Sequence, residues 1–171
     1  SIAAIGSSML LSTPAALFSD SPAQDKKKST VILIRDKNVL NDKGRPVESV
    51  LLDMLDKAIV KLTGQSNAPS AWKSIFKPSD IVGIKTNVWT NIPTTSEVEQ
   101  ALKKRVIGTG VKEESIAISD RSVYKNPAFD KATAIINARP MRTHHWSGVG
   151  SLIKNYVMFV PDPYNYHEDS C

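Results

Sequence analysis

The clearest indication of the fold is the stretch DIVGIKTN, residues 80–87. Its first half is a run of apolar and β-branched residues, and such a run is typical of a strand that is buried on both faces. Its second half carries Lys85 and Asn87, which place a cation and an amide at the carboxyl end of that strand. Ligands of open parallel sheets bind beyond the carboxyl ends of the strands. The stretch therefore predicts a parallel sheet and a binding site at its edge.

Three other segments have the composition of buried strands. They are residues 30–36 (TVILIRD), 115–120 (SIAISD) and 132–139 (ATAIINAR), and Pro140 ends the last of them. Because helical segments separate most of these strands, the order of elements favours an α/β domain. We predict a mainly parallel sheet of about four or more strands, flanked by helices.

Two helices are predicted between the strands. From Pro46 to Leu62 apolar residues recur every three or four positions, and Gly64 follows, as expected just after a helix end. The second helix is predicted to start near Thr94, which lies three residues before Glu97 and has the spacing of a capping box.

The N-terminal residues 1–29 form a separate segment, and residues 30–171 form the α/β domain. Small and apolar residues come first, and a polar linker with Lys26, Lys27 and Lys28 follows. This pattern is typical of the remnant of an export signal, with an N-terminal helix as the alternative. The apolar run 2–11 is shorter than the roughly 20 residues that span a bilayer, so we do not expect an integral membrane protein. Export to the periplasm is the first expectation for localisation, and the cytoplasm is the alternative.

The charge and the cysteine content exclude several classes. Lys and Arg number 22 against 17 Asp and Glu, a net charge of +5 that is spread along the chain. This excess favours anionic partners, but it lacks the dense basic stripe of a nucleic-acid-binding protein, so no nucleic-acid partner is expected. The one cysteine is Cys171, so this chain alone provides neither an internal disulfide nor four thiolates for an iron–sulfur cluster.

Polar side chains follow the predicted strands at their carboxyl ends. Besides Lys85 and Asn87, these are Asp120 after the third strand and Arg142 and His144 after the fourth. Carboxyl ends of parallel strands lie at one edge of a sheet, so we predict a site for an anionic small molecule there, with the chemical step, if any, left open. In this interpretation His144 transfers a proton and Asp120 orients it.

The next segment, SGVGS, is a candidate second anion-binding element, with a simple loop-to-helix turn as the alternative. Gly148 and Gly150 permit close backbone approach, and Lys154 adds a point charge. The pattern matches neither a P-loop nor a dinucleotide fingerprint.

A metal site is the second hypothesis. Its ligands would come from His144 or His145, Asp120, His167 and Cys171. Adjacent side chains of an extended segment point in opposite directions, so His144 and His145 are not expected to share one ion. The third hypothesis is a structural subunit that docks on a membrane or on another protein chain through residues 2–17.

Several of these segments together resemble a known family. DIVGIKTN, TTSEVEQALKKRVIGTGV, SIAISD and IINARPMRTHHWSGVGSLIKNY are similar, in order and spacing, to the family catalogued as domain of unknown function 362. The resemblance covers about residues 80–156. Carried over position by position, it implies functional roles for six residues: Lys85, Asn87, Asp120, His144, Lys154 and Asn155.

The resemblance also implies properties of the whole protein. Members are α/β proteins, some have a twin-arginine export signal, and many carry ferredoxin-type cysteine clusters, which suggests a redox-associated role. This chain has no C-x-x-C-x-x-C motif. Members are often longer, so we also expect that the chain represents an incomplete domain.

Overall fold

The computed structural model describes residues 29–121, 123–145 and 148–166. The helices are α1 (Glu48–Thr63), α2 (Ala68–Ile75), α3 (Ser96–Ile107), α4 (Pro127–Asp130) and α5 (Leu152–Asn155). The strands are β1 (Val82–Lys85), β2 (Ile116–Ser119), β3 (Ala134–Asn137), β4 (Arg142–His144) and β5 (Gly148–Gly150). Short 3-10 turns occupy Glu113–Ser115, Val123–Lys125, Tyr156–Phe159 and Pro163–Tyr166.

The main sheet is parallel and has three strands in the order β2-β1-β3. In its register Lys85, the last residue of β1, lies opposite Ser119 of β2 and Asn137 of β3. All three strands therefore end at one edge, as predicted. Strands β4 and β5 form a separate antiparallel pair. The mixed α/β class is confirmed, with a smaller parallel sheet than the four or more strands expected.

The missing strand is residues 30–36, where the prediction was wrong. Those residues have no regular secondary structure, and Val31 and Leu33 are 87% and 71% exposed. Ile32 and Ile34 are half-buried, so the segment has one covered and one exposed side. Composition measures how well a segment suits a sheet, but a strand also needs a neighbouring strand to pair with. No strand of the described chain pairs with this segment.

The core lies on one face of the sheet. Val82 and Ile84 of β1 are fully buried there, in a cluster with residues from α2, α3 and the loop that follows: Trp72, Phe76, Leu102, Val106 and Val111. Side chains of a strand alternate between faces, so Gly83 and Lys85 lie on the opposite face. A Cβ on Gly83 would come within 2.8 Å of the Phe129 ring in α4, so this close approach requires glycine.

The predicted helix starting at Pro46 corresponds to α1, which ends at Gly64 in the left-handed conformation (φ 70°). The predicted capping box is not formed, since α3 begins at Ser96 with Thr95 as its N-cap. Glu97 instead accepts a hydrogen bond from Arg45 Nε at 2.9 Å. Thr94 Oγ1 donates a hydrogen bond to the carbonyl oxygen of Ala138 at 2.9 Å, because the loop after β1 packs against the end of β3.

Among the residues described, no helix has both the length and the apolar character needed to cross a membrane. The predicted export signal lies in the first 28 residues, outside the described part of the chain.

Candidate functional site

A buried ion pair lies at the carboxyl edge of the sheet. Lys85 is 0% exposed and Asp120 is 7% exposed. The Lys85 ammonium donates to Asp120 Oδ1, to the carbonyl oxygen of Thr86 at 2.7 Å and to Asn155 Oδ1 at 3.2 Å. The second carboxylate oxygen, Asp120 Oδ2, accepts from the Val88 amide at 2.8 Å. A lysine ammonium has three protons, so these three acceptors satisfy Lys85 completely.

Burial has an electrostatic consequence for Lys85. Transfer of the ammonium out of water lowers the pKa of Lys85, and the nearby Arg139 lowers it further. The hydrogen bond and the charge of Asp120 raise the pKa, but by less than burial and Arg139 together lower it. Lys85 is therefore easier to deprotonate than a surface lysine.

Asn155 connects this pair to the third strand. It is 1% exposed, and its Nδ2 donates to Asn137 Oδ1 at 2.8 Å. Asn137 in turn donates to the carbonyl oxygen of Leu152 at 2.8 Å. These bonds fasten the short helix α5 to the ends of β1 and β3. Lys85, Asp120 and Asn155, which are separated in the sequence, thus share one buried polar network.

A second group of contacts positions Arg142. Its Nη1 donates to Asn87 Oδ1 at 2.9 Å, and its guanidinium lies 4.0 Å from the centroid of the Trp89 ring. Burial lowers the pKa of Arg142, while the charge of Asp120 raises it. The backbone of Asn87 is fixed as well, since its amide donates to Thr94 Oγ1 at 3.0 Å. The loop after β1 therefore holds the first residue of β4.

A cavity of about 410 Å³ opens over these residues. Among the described residues, four cationic side chains and one carboxylate line it: Arg121, Arg139, Arg142, Lys154 and Asp120. The remaining lining is amide, aromatic or apolar: Asn87, Trp89, Asn155, Val157, Met158, Pro163 and Tyr164. The volume is in the range of small-molecule sites, and its charged lining favours an anion.

The predicted site residues separate into groups in this geometry. Asn87, Asp120, Arg142, Lys154 and Asn155 line the cavity. Lys85 lies beneath it and directs its protons into the buried network rather than toward the cavity. His144 is two residues beyond Arg142, on the same face of β4, and is half-buried, but it is not among the lining residues. His145 is exposed in the turn after β4.

The two glycines of SGVGS lie in β5 rather than in a loop. Gly148 and Gly150 pair with His144 and Arg142 of β4, and neither lines the cavity. Gly150 is buried, and a Cβ there would approach Arg139 Nη2 to 3.0 Å and Arg142 Cγ to 3.4 Å. Its lack of a side chain therefore leaves room for two cations of the cavity.

The metal hypothesis depends partly on His167 and Cys171, which lie outside the described residues. Within the described ranges, no three His, Cys, Asp or Glu side chains group closely enough to hold a metal ion. Both oxygens of Asp120 already accept hydrogen bonds, from Lys85 and from Val88.

Sequence reasoning missed two kinds of residue. Asn137 is the last residue of β3, and an amide at the end of an apolar strand is a polar signal that the sequence does contain. Trp89 and the apolar wall of Val157, Met158, Pro163 and Tyr164 have no such signal, because no periodic pattern distinguishes cavity walls from other loops. Comparison of the chain with family models, curated proteins and solved structures found no match.

Proposed function

We propose that the protein binds an anionic small molecule in the cavity at the carboxyl ends of β1 and β2. The observation that supports the proposal best is the lining, in which, among the described residues, four cations accompany one carboxylate. That carboxylate, Asp120, is engaged by Lys85, so the pair is neutral as a unit. Arg121 and Arg142 therefore present positive charge to a ligand in the cavity.

Different residues have different roles in this proposal. Arg121, Arg142 and Lys154 contact the anion, because their side chains line the cavity. Lys85 is a positioning residue, since its ammonium holds Asp120 and Asn155 in place. The proposal is limited to binding, and proton transfer by His144, two residues beyond Arg142 on β4, stays a prediction.

The family resemblance remains part of the proposal. Lys85, Asp120 and Asn155, three of the positions it implies, share one buried hydrogen-bond network, and Asn87 and Lys154 line the cavity above it. Convergence of residues from three separate segments supports a common role for them. Export and a redox-associated role are proposals that follow from the resemblance and from the N-terminal composition alone.

Titration calorimetry with inorganic pyrophosphate tests the proposal. Arg121 is exposed, so Arg121→Gln removes a cavity cation with little effect on folding. A hydrogen bond to a charged group contributes about 1.5–3 kcal/mol, so the affinity should fall by about tenfold or more. Raised salt should weaken binding, because screening reduces the attraction.

The matched control is Lys112→Gln. Lys112 is exposed and precedes the 3-10 turn that leads into β2, at the opposite end of that strand. Its substitution lowers the net charge by the same amount and should leave the affinity unchanged. Equal losses for the two variants would show that binding follows overall charge, and would contradict a site in the cavity.

A further inference from the structure

The lining of the cavity is aromatic and apolar as well as charged. Two aromatic rings, Trp89 and Tyr164, belong to its lining, together with Val157, Met158 and Pro163. A site for a bare inorganic anion needs donors and cations but no apolar wall. The lining therefore fits a ligand with an anionic part and a flat apolar part.

Arg142 belongs to both the charged and the aromatic part of the cavity lining. Its guanidinium lies over the Trp89 ring at 4.0 Å and is held there by Asn87. Trp89 is 41% exposed, so one ring face is covered by Arg142 and part of the indole remains accessible. Tyr164 is 84% exposed, and its ring is available to a ligand without rearrangement of the core.

The guanidinium groups of the lining suit a ligand with more than one anionic group. Arg121 and Arg142 come from two separate segments, the end of β2 and the start of β4. Guanidinium groups bind phosphate oxygens in two-pronged fashion. Two guanidinium groups that reach one cavity from separate elements suit a phosphate chain better than a single carboxylate.

We propose that the ligand is a flat heterocycle that carries a phosphate chain, with a nucleoside diphosphate as the representative compound. The ring contacts Trp89 and Tyr164, and the phosphates lie against Arg121 and Arg142. This inference rests on the proposed anion-binding function and adds the ring to it. The cavity of about 410 Å³ is within the range of small-molecule sites.

The test measures binding of ADP, inorganic pyrophosphate and adenosine to the full chain by titration calorimetry. Stacking of a base on aromatic side chains contributes enough to raise affinity about tenfold, so ADP should bind at least that much more tightly than pyrophosphate. Adenosine should bind more weakly than ADP, because it lacks the phosphates.

Variants locate the ring contact. Tyr164→Leu and Trp89→Leu should each reduce the advantage of ADP over pyrophosphate. Tyr164 is so exposed that its replacement should not unfold the chain, which keeps the test valid if Trp89→Leu is unstable. Tyr156→Leu is the matched control, since Tyr156 is exposed but does not line the cavity.

The outcomes separate the two proposals. If pyrophosphate binds as tightly as ADP, or both cavity variants keep the wild-type preference, the heterocycle is wrong and anion binding stands. If neither pyrophosphate nor ADP binds, the anion-binding function itself is wrong, and this inference is lost with it.

Discussion

Replacement of Lys85 by methionine should destabilise the protein strongly. Methionine has a similar length but no charge, so Lys85→Met would leave the Asp120 carboxylate, which is 7% exposed, without its cation. Loss of one partner of a buried ion pair costs about 3–5 kcal/mol. Domains are stable by only about 5–15 kcal/mol, so this single substitution should remove a large share of the stability.

Urea unfolding followed by circular dichroism measures this loss. The matched control is Lys57→Met, because Lys57 pairs with Asp53 on the surface of α1, where both side chains are more than half exposed. A surface pair of this kind contributes about 0–1 kcal/mol. A double-mutant cycle with Asp120→Asn adds a second criterion. The two buried-pair substitutions should not be additive, with a coupling of about 0.5–3 kcal/mol.

The reasoning fails if Lys85→Met costs no more than Lys57→Met. Such a result would mean that the hydrogen bonds of the Lys85 ammonium within the buried network do not stabilise the fold. It would favour the interpretation from the sequence, in which Lys85 contacts the ligand directly.

Two further predictions concern the same face of the sheet. Because burial lowers the pKa of Lys85, the unfolded chain binds more protons than the folded chain between that pKa and the ordinary value of 10.5. The free energy of unfolding of the wild type should therefore rise relative to Lys85→Met as the pH approaches 10.5 from below, and a relative fall would contradict the direction of the shift. Gly83→Ala should cost about 1–3 kcal/mol in urea unfolding, since its Cβ would lie 2.8 Å from the Phe129 ring. Its effect should shrink in a Phe129→Leu background, and full additivity would exclude that contact as the cause.

The parallel sheet and its polar edge could be predicted because both depend on local patterns. Buried runs such as 115–120 and 132–139 contain the observed strands β2 and β3, and parallel strands necessarily bring their carboxyl ends together. The strand prediction for residues 30–36 failed because strand formation there depends on a nonlocal contact. A segment pairs only if another strand lies beside it in the fold, and local composition does not contain that information.

The chemical role of Lys85 could not be predicted for a similar reason. A lysine at a strand end suggests an exposed cation, because lysine is rarely buried unless it is paired. Its burial here depends on Asp120 and Asn155, which are 35 and 70 residues away in the sequence. The partners of a buried charge are set by tertiary packing, so the sequence identified the residues of the network but not their hydrogen bonds.

Some residues of the site belong to the buried hydrogen-bond network of Lys85, and others line the cavity above it. This difference determines how variants of the site should be interpreted. The β4–β5 pair is separate from the main sheet, and Arg142 of β4 donates a hydrogen bond to Asn87 in the loop after β1. A ligand that contacts both Arg121 and Arg142 would link the end of β2 to this pair and would stabilise the folded state. Variants of Lys85, Asn87 or Asn155 should therefore lose affinity and stability together, because they disturb the supports of the cavity. Only a residue such as Arg121, whose replacement lowers affinity at unchanged stability, can be assigned a direct contact with the ligand.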